Sequence, residues 1–143
     1  MNEASITQYI IDTFAGVETA INFGYTFFFY GSDHKLPFAT LASEDNDYDR
    51  VSNLDRPGVF RLNIGVRKQT FQSLFGATGV TLSDFDFTAL DQIMPHPVYA
   101  PQYFVCVLSP GDATFQTVQR LLAEAYDIAL RRHAKTDANR SQS

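Results

Sequence analysis

The hydrophobic positions of the chain recur most regularly near its C-terminal end, between Ser109 and His133. Seven apolar residues in this segment follow helical spacing and form one broad stripe: Phe115, Val118, Leu121, Leu122, Ala125, Ile128 and Ala129. Ser109 is a favourable N-cap, Pro110 suits the first helical position, and the β-prone run Tyr103 to Leu108 comes directly before them. The pattern predicts a strand followed by a long helix, with residues 133–143 as a flexible tail.

The first part of the chain shows one helical and two extended patterns. Residues Ser5 to Phe14 place apolar side chains on one face, with Ser5 as cap, and Gly16 ends this predicted helix. Residues Tyr25 to Tyr30 are nearly all aromatic and predict a strand. A turn joins it to an antiparallel partner between Leu36 and Ser43, so a hairpin is expected here.

The segment from Gly58 to Val66 alternates from residue to residue. Arg61 and Asn63 fall on one side, and Leu62 and Ile64 fall on the other. This alternation predicts a strand with one buried face and one wetter face.

The remaining segments are shorter. Residues Lys68 to Phe75 predict a short helix, and residues Glu44 to Arg56 predict a polar loop. Residues Phe87 to Ile93 leave two alternatives open, an extended edge or one helical turn. The segment Met94 to Pro101 carries three prolines, which predicts a rigid connection or an edge strand.

Taken in order, these elements predict the fold class. Tight turns between strands favour an antiparallel sheet, and helices at the start, middle and end suit a two-layer α+β domain with the helices packed on one face. A length of 143 residues fits a single domain, 1–143, with an ordered core over about residues 5–132.

Composition and charge narrow the range of functions. A single cysteine excludes an internal disulfide, and the N-terminus lacks a secretory pattern, which favours a cytoplasmic protein. No apolar run reaches the ~20 residues that a membrane helix needs. The first 130 residues carry 7 basic and 15 acidic residues, a net charge of −8. This charge disfavours nucleic acid as a partner, and only the C-terminal end, with Arg131, Arg132, Lys135 and Arg140, is basic.

The acidic run around Asp45, Asp47 and Asp49 spaces its carboxylates as the start of an EF-hand loop does. The required glycine is replaced by Arg50, and the required glutamate by Arg56, so an EF-hand is excluded. The histidines and the cysteine show no metal-ligand spacing, and no phosphate-binding glycine motif occurs. The sequence predicts neither a metal nor a cofactor.

His96 is the most distinctive candidate for a site. Pro95 and Pro97 hold it on a stiff backbone near Tyr99, and a rigid mount suits a binding histidine. A proline-rich edge segment could lie over the strand face that carries Arg61 and Asn63. We therefore expect a ligand-binding site formed by His96, Tyr99, Arg61 and Asn63. The alternative is that His96 bonds a carbonyl within its turn and is structural.

Cys106 lies within an apolar strand, where a buried inert thiol is expected and a nucleophile is not. No enzyme signature occurs. The leading hypothesis is a non-enzymatic domain that binds a small ligand or a protein partner. A DNA-binding accessory protein is the alternative, and an enzyme that uses His96 ranks third.

Packing patterns spread over about residues 5–132 also carry a family resemblance. Their order resembles the small bacterial MmcQ/YjbR family, which implies a CyaY-like α+β fold and a DNA-binding role. Members of that family tend to carry Asn and Trp after the histidine, whereas this chain reads Pro97-Val98-Tyr99. More closely, the chain looks like an uncharacterised bacterial domain-of-unknown-function family. The segments that carry this second resemblance are Leu36 to Leu41, Tyr48 to Val66 and His96 to Tyr99.

Overall fold

The computed structural model of the protein describes residues 1–141, with side chains as far as residue 136. It contains three α-helices: α1, Glu3–Thr13; α2, Lys68–Phe75; and α3, Asp112–Ser141. It also contains six strands: β1, Val17–Asn22; β2, Tyr25–Tyr30; β3, Ala39–Ala42; β4, Arg61–Gly65; β5, Met94–Pro95; and β6, Phe104–Leu108. Single 3₁₀ turns occur at Leu82–Asp84 and Ala100–Gln102.

The six strands form one open sheet in the order β1-β2-β3-β4-β6-β5, and every neighbouring pair is antiparallel. The predicted hairpin between residues 25–30 and 36–43 is confirmed, because β2 pairs with β3 in the register Tyr25 opposite Ala42. The α+β fold with an antiparallel sheet, predicted from the order of elements, is confirmed.

The three helices share one apolar core with one face of the sheet. The buried side chains of β4 in this core are Leu62 and Ile64, and their neighbours on β6 are Val105 and Val107. Most of the predicted stripe of α3 is buried against them: Phe115, Val118, Leu121, Leu122, Ala125 and Ala129. Burial of this stripe supplies the main apolar driving force for folding.

The sequence analysis missed β1, the edge strand of the sheet. Its residues alternate between β-branched side chains at Val17, Thr19 and Ile21 and other residues between them, which is a strand signal. The turn at Phe23-Gly24 that joins it to β2 was a second signal. Gly16 ends the helical pattern, and the sequence prediction leaves the residues between it and Tyr25 without an element.

The predicted start of the C-terminal helix is wrong. Ser109 is not the N-cap, because its backbone N–H and hydroxyl extend the contact between β6 and the start of β4, bonding Phe60 and Gly58. The helix begins at Asp112, after Asp91 has bonded the backbone N–H of Gly111 at 2.7 Å. At the other end, α3 continues to Ser141, into the segment predicted as a tail, whose residues 142–143 lie outside the described part of the chain.

Smaller differences have local causes. Helix α1 begins at Glu3 because Asn2 and Ser5 form a reciprocal capping box, so Ser5 is the third helical residue and not the cap. Residues 87–93 form turns and bends, neither an extended edge nor a helical turn, and the edge strand comes only at Met94–Pro95. Among the described residues, no helix has the length and apolar character needed to cross a membrane.

Candidate functional site

Two irregular segments cover the face of the sheet opposite the helices. The first, residues 44–56, we call the acidic loop, and the second, residues 96–99, we call the His96 turn. A small apolar cluster underlies them, formed by Ala42, Leu54, Met94, Cys106 and Leu108. The two segments therefore pack on a fixed apolar base, and the polar side chains of the sheet lie between them and this base.

Arg61 is the centre of this face. It stands in register between Ala42 of β3 and Leu108 of β6, and it is only 1% exposed. Its guanidinium group donates to both carboxylate oxygens of Asp49, with the contact to Oδ1 at 3.1 Å, and to Ser52 Oγ at 3.0 Å. The small side chain of Ala42 leaves room for the arginine, and the acidic loop closes over it.

The polar network continues sideways along the sheet. Arg61 Nε donates to Asn63 Oδ1 at 2.9 Å, and Asn63 Nδ2 donates to Thr40 Oγ1 at 2.9 Å. On the other side, the Tyr25 hydroxyl donates to Asp49 Oδ2 at 2.6 Å. Asn63 is only 3% exposed. The predicted wetter face of β4 is therefore wrong: Arg61 and Asn63 point into a second buried layer, where hydrogen bonds satisfy them.

The ion pair at the centre stays charged. Burial disfavours the ionised form of Asp49, but the hydrogen bonds from Arg61 and Tyr25 outweigh it and hold the pKa of this carboxyl below its usual range. Burial also opposes the charge on Arg61, yet the bond to Asp49 raises the pKa of its guanidinium. For Tyr25, burial and then Asp49 raise the pKa of the phenol. The pair is a permanent clamp between the acidic loop and β4.

His96 is held in a single orientation by its own turn. The backbone N–H groups of Val98 and Tyr99 both donate to His96 Nδ1, each at 3.0 Å. Nδ1 is therefore unprotonated and the ring proton sits on Nε2. Within residues 1–136, Nε2 forms no hydrogen bond to the protein. Every fully buried side-chain nitrogen in this part of the chain has a hydrogen-bond partner, so Nε2 must be accessible to solvent. The alternative in which His96 bonds a carbonyl is wrong, because the ring instead accepts from two backbone N–H groups.

Charge and burial limit the chemistry of this histidine. Burial, followed by the positive charge of Arg61, lowers the pKa of His96 to about 3. A general base works best with a pKa near the working pH, so this imidazole is poorly suited to proton transfer. Burial likewise raises the pKa of the Cys106 thiol to about 12, as expected for an inert core cysteine.

The structure brings the four predicted site residues together in part. Arg61 and His96 lie within electrostatic range, since the guanidinium charge lowers the pKa of the imidazole. The Tyr99 ring packs beside the His96 ring, with centroids 5.0 Å apart. Tyr99 is 55% exposed and the adjacent Val98 is 63% exposed, whereas Arg61 and Asn63 lie beneath the surface.

Sequence reasoning missed the acidic loop as a component of the site. Asp49 was considered only for a metal, and its partner Arg61 lies on a strand twelve residues later. Within the described residues, no group of three histidine, cysteine, aspartate or glutamate side chains could hold a metal ion. The loop carboxylates instead bond the chain itself, as when Asp45 accepts from the backbone N–H of Leu54.

A second feature lies away from this face, at the C-terminal end of α3. Arg67, Arg131, Arg132 and Lys135 line one open concavity there, together with Ile128 and Ala134. Two of these cations are partly neutralised, because Arg67 and Arg131 both bond Asp127.

Comparison with known proteins gives a family and no activity. No curated protein and no solved structure matches the chain. One family model matches residues 1–138, nearly the whole chain, and it is described as a family of unknown function. The expectation of a domain-of-unknown-function family is thereby confirmed, and the chain belongs to the family of unknown function DUF6194.

Proposed function

We propose that this chain is a non-enzymatic, cytoplasmic binding domain whose partner is a protein that docks on Val98 and Tyr99. The observation that carries the proposal is a contrast within one short segment. The backbone of the His96 turn is fixed by two hydrogen bonds to His96 Nδ1, yet the side chains of Val98 and Tyr99 point into solvent. A rigid, exposed aromatic residue beside an aliphatic one has the character of an interface anchor.

The residues predicted from the sequence receive different roles in this proposal. Tyr99 contacts the partner, and His96 is a positioning residue that fixes Tyr99. Its Nε2–H is left to donate to a partner oxygen. Arg61 and Asn63 act from below, because they anchor the acidic loop beside the turn.

A protein fits this surface better than a small ligand does. A small ligand that contacted Arg61 would have to displace Asp49 or Ser52 from the guanidinium, leaving buried groups unpaired. A protein needs no such displacement, and the acidic loop exposes two further apolar side chains, Tyr48 and Val51, that it could also contact. The loop holds five acidic and two basic residues, a net charge of −3. The partner surface is therefore basic.

The proposal is tested with two eight-residue peptides, one that alternates Lys and Gly and one that alternates Glu and Gly. Each is titrated into the isotope-labelled full chain and followed by NMR. The basic peptide is expected to shift the amide signals of Val98, Tyr99 and the acidic loop, and the acidic peptide is not.

Variants make the peptide test specific to the His96 turn. Tyr99→Ser is expected to weaken binding of the basic peptide about fivefold or more, the size of one interface anchor. Leu36→Ser, at a similarly exposed apolar position, serves as the control and should bind like the wild type. Equal binding by all three chains would contradict the proposal.

The concavity lined by Arg67, Arg131, Arg132 and Lys135 supports a second candidate, a DNA-binding accessory role of the bacterial MmcQ/YjbR type. Against it stand the net charge of −8 on residues 1–130 and the internal ion pairs of Arg67 and Arg131. We expect no measurable binding to a generic DNA duplex at near-physiological salt, because phosphate neutralisation dominates such affinity. Fluorescence anisotropy over a salt series checks this, and a salt-sensitive micromolar complex that Arg132→Ala weakens would favour the second candidate.

A further inference from the structure

The two edges of the sheet differ in how they meet solvent. At one edge, β5 has only two residues, Met94 and Pro95, and Pro97 follows closely. Prolines and shortness are the usual protection of an edge against pairing. At the other edge, β1 runs for six residues in unbroken register with β2, without a bulge, a proline or a basic residue. Within residues 1–141, no strand pairs with the outer side of β1.

Hairpin geometry identifies the backbone groups on that outer side. Phe23 and Gly24 have φ values of 54° and 79°, the two positive values of a two-residue turn of type I′. Such a turn is closed by a hydrogen-bonded pair, here Asn22 opposite Tyr25. At the far end, Gly16 accepts from the N–H of Gly31. Even-numbered residues of β1 therefore bond β2, and the N–H and C=O groups of Val17, Thr19 and Ile21 face outward.

The outward-facing residues complement themselves. When a second β1 approaches antiparallel with Thr19 opposite Thr19, Val17 of each copy lies opposite Ile21 of the other. All three side chains are β-branched, which favours cross-strand contact. In this register all outward-facing backbone groups of the three residues find partners. Glu18, which bonds His34 at 3.0 Å, lies opposite Ala20 and meets no like charge.

The same register accounts for two exposed apolar side chains. Ile21 is 80% exposed and Phe23 is 77% exposed, the latter in a left-handed backbone conformation that is unfavourable for a large side chain. In the paired arrangement Ile21 contacts Val17 of the second copy, and Phe23 falls opposite Ala15. An aromatic side chain at the tip of this turn can then contact the second copy, which a glycine or an asparagine would do less well.

We propose that two copies of the chain pair antiparallel through β1, about a two-fold axis at Thr19, and so join their sheets into one continuous sheet. The axis stands perpendicular to the sheet, which leaves the helices of both copies on the same side. The occupant of the open edge is a second copy because the matching register uses residues of this one strand only. This interface is separate from the surface around Tyr99.

Sedimentation equilibrium of the full chain tests the association. The expected result is a mass that rises with concentration from 16.1 kDa toward twice that value. Thr19→Pro removes an outward N–H without removing a bond to β2, and it is expected to weaken the dimer tenfold or more. Thr19→Val keeps that N–H and a β-branched side chain, so it is the matched control and should dimerise like the wild type. Ile21→Lys, at a position that is 80% exposed in the single chain, should also weaken the dimer tenfold or more.

Cysteine pairing tests the register. Opposite residues of an antiparallel hydrogen-bonded pair have Cα atoms about 5.5 Å apart, within reach of a disulfide. Thr19→Cys should therefore form an intermolecular disulfide under mild oxidation, and Ala20→Cys, which lies opposite Glu18 of the other copy, should form it at least several-fold more slowly. Cys106 is buried and does not interfere.

Three results would overturn the proposal. The first is a monomer at every concentration up to about 1 mM, which would mean an association too weak to matter. The second is a dimer that neither Thr19→Pro nor Ile21→Lys weakens, since such a dimer uses another surface. The third is crosslinking of Ala20→Cys as fast as that of Thr19→Cys.

Discussion

On β4, two fully buried layers lie one residue apart along the same strand. Leu62 and Ile64 face the helices and belong to the apolar core, whereas Arg61 and Asn63 face the acidic loop and are held by hydrogen bonds. Apolar burial gains free energy in proportion to area, while a buried ion pair loses in desolvation much of what it gains in attraction. The helix face therefore supplies most of the stability.

The polar layer has a different consequence. A guanidinium group accepts only a few arrangements of its partners, so Arg61 admits one position of Asp49 and Ser52 and thus one path of the acidic loop. An apolar contact at the same place would leave the loop free to slide. We infer that the polar face fixes the path of the loop and the helix face supplies the stability, and four measurements test this division of roles.

The largest effect is expected from Asp49→Ala. It leaves the charge of Arg61 buried without a partner, which typically costs about 3–5 kcal/mol. Urea denaturation measures the free energy of unfolding. Asp47→Ala is the control, because Asp47 is exposed and pairs only with Arg50, and it should change this free energy by about 0.5 kcal/mol or less. A loss below about 1 kcal/mol for Asp49→Ala would mean that water reaches Arg61 readily.

On the helix face, Leu122→Ala should lower the free energy of unfolding by about 2–5 kcal/mol. Leu122 is fully buried in the common core, so truncation leaves a cavity. Leu130→Ala, at a partly exposed position of the same helix, should cost clearly less. Equal losses at the two positions would show that the stripe does not face a tightly packed core.

A double-mutant cycle separates specificity from stability on the polar face. Arg61→Met should cost less in the Asp49→Ala background than in the wild type, with a coupling of about 0.5–3 kcal/mol. The reason is that the second substitution removes a charge that the first has already left unpaired. Additive losses would show that the two side chains act independently.

The smallest effect concerns His96 and pH. Its pKa is about 3 in the folded protein, against about 6.5 for an unperturbed histidine. As the pH is lowered, the unfolded chain therefore binds a proton at His96 before the folded protein does. The free energy of unfolding keeps its full value above about pH 6.5 and decreases as the pH drops toward the folded pKa. Unfolding at pH 7 and pH 5 should show this loss in the wild type and not in His96→Gln. A loss of the same size in His96→Gln would contradict the assignment.

The fold could be predicted from the sequence where burial follows a simple period. The stripe of α3 and the alternation of β4 both have such a period, and their helix and strand are present. The identity of the second layer could not be predicted, because an alternating Arg-x-Asn looks the same whether water or a loop covers it. The acidic loop covers Arg61 through Asp49. The contact between these two residues depends on how the loop folds back over the strand and not on their spacing in the sequence.

The candidate site shows the same limit. The prolines around His96 predict a rigid mount, and in the structure two backbone hydrogen bonds hold the ring beside Tyr99. The direction of the hydrogen bonds was missed, since a histidine in a turn can either donate to a carbonyl or accept from backbone N–H groups. That choice sets which ring nitrogen carries the proton, and it depends on how the turn folds around the ring.

The order of strands also gives the folding reaction a direction. Strands β1, β2 and β3 each pair with the next strand in the chain, across connections that are shorter than the one between β4 and β6. The pairing of β4 with β6 must wait for the segment between Gly65 and Phe104 to close, and such distant contacts slow folding. Arg61 lies on the boundary between these two parts. We therefore expect the meander to form before β6 pairs with β4, and until then both of its outer strands, β1 and β4, are open to other unfolded chains.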